Sequence, residues 1–182
     1  MKKKIATILI TFCSVLLGIA TKAQDLSNYN YDLSISYGYK THESVSIDGK
    51  VSWPGAINVQ YMYPITEKWS MGASAVYGMS TYTVDFGYGY SDEFHDYYYS
   101  FMPAFRYYHL NKENIALYSK AALGFSNQIK NSSSYDDKNN GMSFAFQVSV
   151  IGIEFGIPLV RGFIEGGYGS QGIVQAGLKV CL

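Results

Sequence analysis

Bulky apolar residues alternate with small or polar ones along most of this chain. The clearest stretch sets Tyr31, Leu33, Ile35, Tyr37 and Tyr39 against Asp32, Ser34, Ser36 and Gly38. A period of two is that of a strand with two unlike faces. Read through to the last residue, the pattern predicts eight strands, at 29–39, 55–63, 69–82, 97–108, 115–126, 142–156, 162–169 and 172–182. Their connections alternate in length. Long ones occupy 40–54, 83–96 and 127–141, short ones run Pro64–Lys68, His109–Asn114 and Ile157–Arg161, and the last two strands meet at a tight Ser170–Gln171 turn.

The bulky face continues through Ile57, Val59, Tyr61 and Tyr63, then Trp69, Met71 and Tyr77, then Tyr97, Tyr99, Phe101, Phe105 and Tyr107, then Ile115, Leu117, Leu123 and Phe125. Opposite it stand Asn58, Gln60, Ser70, Gly72, Ser74, Gly78, Ser100, Ala104, Arg106, Tyr118, Lys120 and Gly124. In the sixth strand Phe144, Phe146 and Val148 hold the bulky phase, and Ile151, Ile153 and Phe155 then take it over. One extra residue near Val150, a β-bulge, restores the face without breaking the pairing. Pro103 lacks an N–H and so predicts a gap in the ladder or a further bulge.

Alternation alone leaves open which face is outside, since a soluble lipocalin-like barrel points its bulky set inward. Three features place it outward. The opposite face is rich in Ser, Gly and Ala, which suits the cramped lumen of an eight-stranded barrel. Aromatic residues crowd the strand ends, where Tyr37, Tyr39, Tyr61, Tyr63, Trp69, Tyr97, Tyr99, Phe105, Tyr107 and Tyr168 would form interfacial girdles. Finally, the last strand ends on the final residue. The expected fold is therefore all-β, an eight-stranded antiparallel up-and-down transmembrane β-barrel with long loops on one rim and short turns on the other.

Composition agrees with one domain: 182 residues, 48% hydrophobic, 16% aromatic and 15% charged, with 18 tyrosines. Residues 1–23 carry Lys2, Lys3 and Lys4, an apolar run from Ile5 to Ala20, and Thr21-Lys22-Ala23, the three regions of a signal peptide. Cleavage after Ala23 is expected, leaving 24–182 as the barrel domain. That removes four of the 14 basic residues and none of the 14 acidic ones, for a formal charge of −4. An acidic excess argues against nucleic-acid binding. Cys13 leaves with the leader, so Cys181 has no partner for an intramolecular disulfide.

At the C-terminus, Gln175, Gly177, Val180 and Leu182 place a polar residue, a glycine and two apolar residues at a spacing resembling the signal read by the outer-membrane barrel-assembly machinery. Leu182 departs from that pattern, which usually ends on an aromatic. With Tyr61-Met62-Tyr63-Pro64-Ile65-Thr66-Glu67-Lys68-Trp69, Pro103-Ala104-Phe105-Arg106-Tyr107-Tyr108 and Glu165-Gly166-Gly167-Tyr168-Gly169-Ser170-Gln171-Gly172, the mature chain resembles the small porin-like outer-membrane β-barrel family, related in architecture to the OmpX and OmpA barrels. The resemblance implies a monomer in the outer membrane of a Gram-negative cell. Its implied partners are outer-membrane lipid, lipopolysaccharide and the assembly machinery, with no cofactor. It leaves activity open among envelope integrity, adhesion and lipid A modification.

Several motifs suggest chemistry. Gly167–Gly172 is a literal GxGxxG, but only ten residues follow and they read as a strand, so glycines permitting a hairpin are the better account than a dinucleotide site. Asp136–Gly141 hints at a calcium loop, yet Lys138 holds the third ligand position and Gln147 the twelfth, where a bidentate Glu is needed; no metal is expected. Tyr88, Tyr90 and Phe94 in the second long loop either extend the barrel above the lipid or are candidate recognition aromatics for an extracellular ligand. A lipid A-modifying enzyme would need a nucleophile, a base and an acid at the outer rim. Ser44 or Ser91 could join His42 or His95 there, with Glu43, Glu93 or Asp96, while His109 falls on the opposite side. No spacing compels such a site, and no catalytic residue is assigned.

The inward charged set is more coherent. Asp32, Glu154 and Glu165 face Arg106, Lys120 and Lys179, three of each sign and mostly in the short-turn half. In a narrow lumen they are expected to form an ion-pair plug, which disfavours the alternative of a narrow small-solute pore. The function expected from the sequence is a structural or surface-interaction role carried by the long loops.

Overall fold

The structure, a computed structural model, describes residues 31–42, 50–85, 91–132 and 139–182, and the side chains of 31–42, 55–79, 97–129 and 141–182. The expected leader and cleavage site lie outside the described residues. Eight strands follow in order: β1 (Asp32–Tyr39), β2 (Lys50–Pro64), β3 (Trp69–Asp85), β4 (Ser91–Asn111), β5 (Ile115–Ser132), β6 (Asn139–Gly156), β7 (Val160–Gly169) and β8 (Val174–Cys181). Each pairs antiparallel with its neighbours in sequence, and β8 closes on β1 from Asp32↔Cys181 to Tyr39↔Val174. Tyr31 and Leu182 exchange two further backbone hydrogen bonds, which carry the seam to the last residue.

The faces fall as the alternation predicts. Asp32, Ser34, Ser36, Asn58, Gln60, Ser70, Ser74, Ser100, Arg106, Lys120, Glu154 and Glu165 are buried in the lumen. Tyr37, Ile57, Tyr61, Trp69, Phe105, Ile153 and Leu178 are exposed on the outer wall, where Phe101, Phe125 and Phe144 each show more than 60% of their surface. A water-soluble monomer rarely exposes a contiguous apolar patch beyond a few hundred Å². Tyr97 and Tyr107, at the two ends of the band, stand ten residues apart on β4, which at about 3.3 Å per residue and a tilt of about 40° is roughly 25 Å tall, the height of a hydrocarbon layer.

Three irregularities keep the faces in phase. Against β5 and β7, β6 carries one extra residue at Val150, the bulge that the switch of phase predicts. β4 carries another at His109, and β2 a third between Ser52 and Gly55. At Pro103 the β4–β5 ladder skips from Phe101↔Phe125 to Ala104↔Ala122 without a change of register, so the missing N–H produces a gap and not a bulge.

The long connections are shorter than the sequence suggests, because the ladder continues past the apolar band. β3 and β4 stay paired to Asp85↔Ser91, and β5 and β6 to Lys130↔Asn139, so most of 83–96 and 127–141 is strand. Along these stretches the alternation in the sequence fades while backbone pairing continues. The barrel is consequently lopsided. β4 has 21 residues whereas β1 and β8 have eight each.

Deleting Val150 would shift the rest of β6 by one residue and turn Glu154 toward lipid and Ile153 into the lumen. Such a variant is expected to yield no folded, SDS-resistant species on a gel, whereas Val150→Ala, which keeps the bulge, folds normally.

Candidate functional site

Narrowness dictates the chemistry of the lumen. Eight strands enclose just enough space for side chains to fill, so charges placed there leave water and must find each other. All six charged residues expected inside point inward, and they form two groups.

The lower group lies toward the short turns. Arg106 on β4 reaches across to Asp32 on β1 (Nη1–Oδ2 2.9 Å) and lies 3.5 Å from Glu154 of β6. Lys179 on β8 contacts the same Glu154 and stands 3.8 Å from Asp32. Two further residues belong here that the alternation did not single out. Arg161 bonds Glu154 at 3.3 Å and donates to the carbonyls of Lys112 and Glu113. The Tyr108 hydroxyl accepts from Arg106 at 3.0 Å and donates to Glu154 at 3.3 Å. The alternation puts Arg161 at the end of the Ile157–Arg161 connection, whereas β7 begins at Val160 and includes it. Below this group an open vestibule of about 230 Å³ is lined by charged residues such as Asp32, Glu67, Arg161 and Lys179 together with Tyr31, Pro64 and Pro158.

The central group surrounds Glu165 of β7, which is only 1% exposed. Lys120 on β5 pairs with it at 2.5 Å, and Tyr118 and Ser149 donate to it at 2.6 and 2.8 Å. The Gln175 amide adds a longer bond at 3.3 Å, and Lys120 also donates to the Gln60 side chain at 3.3 Å. The Arg106 guanidinium sits 4.8 Å from the centre of the Tyr118 ring, a cation–π contact that ties the two groups together. Ion pairs thus cross the barrel from β1, β4, β5, β6, β7 and β8.

The other sequence-predicted residues scatter. Gln175 and Gly177 of the assembly pattern face the lumen, while Val180 and Leu182 pack with Leu159 and Val160. Tyr88 and Tyr90 lie outside the described residues, as do Glu43, Ser44 and Asp136–Lys138. Phe94, expected in a loop, is instead a β4 residue paired with Tyr82 and Ser132; Ser91, Glu93, His95 and Asp96 are also on that strand, and their side chains are not described. Gln147, the twelfth position of the calcium pattern, is buried in the lumen. The glycine-rich stretch forms the β7–β8 hairpin, with Gly169 and Gly172 at φ of 142° and 110°.

The outer-rim histidine His42 holds Tyr168 through Nδ1 at 2.9 Å, and His109 contacts Ser119 at 2.8 Å on the outer wall. Ser119 also lies 2.6 Å from the carbonyl of Val150. A hydroxyl has one hydrogen, and giving it to that carbonyl makes His109 a donor to the Ser119 oxygen. The chain of bonds then satisfies the carbonyl freed by the bulge and leaves the hydroxyl unactivated.

Fold and site together define a class: a closed β-barrel with a lipid-facing exterior and an ion-paired interior, built to span a membrane with strands. In architecture it is the eight-stranded up-and-down barrel that the resemblance implies. No protein-family model and no characterised protein sequence matches the chain. Among solved structures it is similar to Ail, the attachment invasion locus protein of Yersinia pestis, at 15% identity and a TM-score of 0.45 over 84% of this chain and 95% of that one. It is also similar to the N-terminal β-barrel domain of Pseudomonas aeruginosa OprF, at 16% identity and 0.46 over 83% and 95%. These likenesses concern the fold alone.

Removing one member of a buried pair leaves the other charge unmatched, which costs about 3 to 5 kcal/mol. Glu165→Ala and Lys120→Met are each expected to lower stability by about that amount in urea unfolding from micelles. The double variant Lys120→Met/Glu165→Leu should lose less than either alone; a loss equal to their sum would contradict the pairing.

Proposed function

We propose that this protein is an integral outer-membrane barrel with a closed lumen, whose raised sheet and long loops carry a surface-interaction role. The observation that carries the reading is the lopsided wall. Among the described residues, 50–54 of β2 have no β1 partner and 139–146 of β6 have no β7 partner, since those ladders begin at Gly55 and Gln147. Above Tyr97, β4 runs on to Ser91, roughly 20 Å of additional strand at about 3.3 Å per residue. Among the described residues, a tall sheet with two edges that lack ladder partners stands beside shorter strands, a shape that transport does not need. Unpaired strand edges and exposed residues such as Met142 offer another molecule both hydrogen bonds and apolar contact.

The ion-paired lumen supports a structural core over a pore. Membrane insertion proceeds through the assembly machinery, with Gln175, Gly177, Val180 and Leu182 as its recognition pattern, and lipopolysaccharide is the neighbour on the outer face. The alternative of a lipid A-modifying enzyme has a direct test. Lipid A from cells with and without the gene is expected to have identical acyl chains by mass spectrometry, and altered chains would favour the enzyme.

The interaction role is tested by replacing residues 80–96 with a short turn. Proteoliposomes carrying the native protein are expected to adhere to protein-coated or glycan-coated surfaces, and the shortened barrel to lose adhesion while keeping its SDS resistance. Equal adhesion by both would refute a role for the raised hairpin.

A further inference from the structure

The turn between β7 and β8 does not project from the barrel. Ser170, Gln171 and Gly172 are buried, with Gln171 fully enclosed. The Gln171 amide donates to Ser74 of β3 at 2.9 Å and to the Asn58 side chain of β2 at 3.3 Å. Its backbone N–H donates to the Gln147 side chain of β6 at 2.9 Å, and Gln147 returns a bond to the Gly172 carbonyl at 3.1 Å. Tyr98 of β4 donates to the Ser170 carbonyl at 3.2 Å. A hairpin tip is thus held by four other strands inside the long-loop mouth.

Neighbouring residues make room for it and hold it down. A Cβ at Gly38 would lie 1.6 Å from the Gln171 carbonyl oxygen, so only glycine admits the turn there. Lys40 adopts a φ of 51°, and Ile173 N–H bonds the carbonyls of both Tyr39 and Lys40. Thr41 is fully buried, and His42 packs against Phe146 and Tyr168.

We infer that the lumen is closed by two barriers in series: the ion-pair plug in the short-turn half, and this tucked turn, an uncharged hydrogen-bonded stopper in the long-loop half. The two sets meet through Gln147 and Ser149, across a long 3.5 Å bond. The inference rests on the reading of the lumen as closed and changes what disrupting the plug does. An ion-pair plug acting alone would open a pore on loss of Arg106 or Glu165. With a stopper above, breaking the ion pairs leaves the barrel shut, and so does displacing the turn alone; conduction needs both.

Four purified proteins in planar bilayers test this: the native chain, the charge-balanced plug variant Arg106→Ala/Lys120→Ala/Glu154→Ala/Glu165→Ala, the stopper variant Gly38→Val, and their combination. Single-channel events are expected from the combination alone. A conducting native protein would overturn the closed-lumen reading itself. Conduction by the plug variant equal to that of the combination, or a silent combination, would overturn the second barrier. Where Gly38→Val fails to assemble, Gln147→Ala/Gln171→Ala removes the Gln147 and Gln171 side-chain bonds that hold the turn, without added bulk. A second measurement needs no plug variant. Ser36→Cys, at the position that accepts from Asn58 beneath Gln171, on a Cys181→Ser background, should resist a membrane-impermeant maleimide added on the long-loop side and react once Gly38→Val expels the turn. Equal labelling with and without Gly38→Val would overturn the stopper.

Discussion

Hydrocarbon offers a backbone no hydrogen bonds, and everything else in this structure answers to that constraint. A sheet in lipid must pair every strand, so its edges have to meet. Here they meet at the β1–β8 seam, which runs in register to the final residue. Closing eight strands then decides the rest: the bulky phase faces outward into lipid, and the small and polar phase fills a lumen too narrow for bulk water.

The lumen has its own accounting. Each buried cation in it has an acid within reach, and Glu154 and Glu165 gather bonds from several strands at once. Replacing such pairs with apolar side chains is often neutral for stability elsewhere. Their value here lies in geometry, because pairs that span the barrel can form only when β1, β4, β5, β6, β7 and β8 share one register. The bulges at Val150 and His109 serve the same end by keeping Glu154 inside and the aromatic residues out.

Much of this was legible in the chain. A period of two is a local signal, so the strands, the outward face, the bulge at Val150 and the defect at Pro103 could be read directly. The six inward charges followed from phase alone. What escaped were features set by contacts distant in sequence. Arg161 and Gln171 sit at strand ends or turns, where phase carries no information, and only the assembled barrel brings Gln171 to Asn58, 113 residues away. Phase put Tyr118 on the inward face, but its bond to Glu165 and the place of Tyr108 between Arg106 and Glu154 depend on contacts distant in sequence. The paired extensions above the band do not show in the sequence because its alternation stops while backbone pairing goes on.

The central claim is that the bulky face is outside and the barrel stands in a membrane. Gel mobility of the protein from washed outer membranes, with and without boiling in SDS, tests it most directly. A folded barrel that migrates differently until heated, in the membrane fraction, is the predicted result. A protein recovered from the soluble periplasm with no heat-dependent shift would contradict the account and mean that the apolar face encloses a ligand instead of meeting lipid.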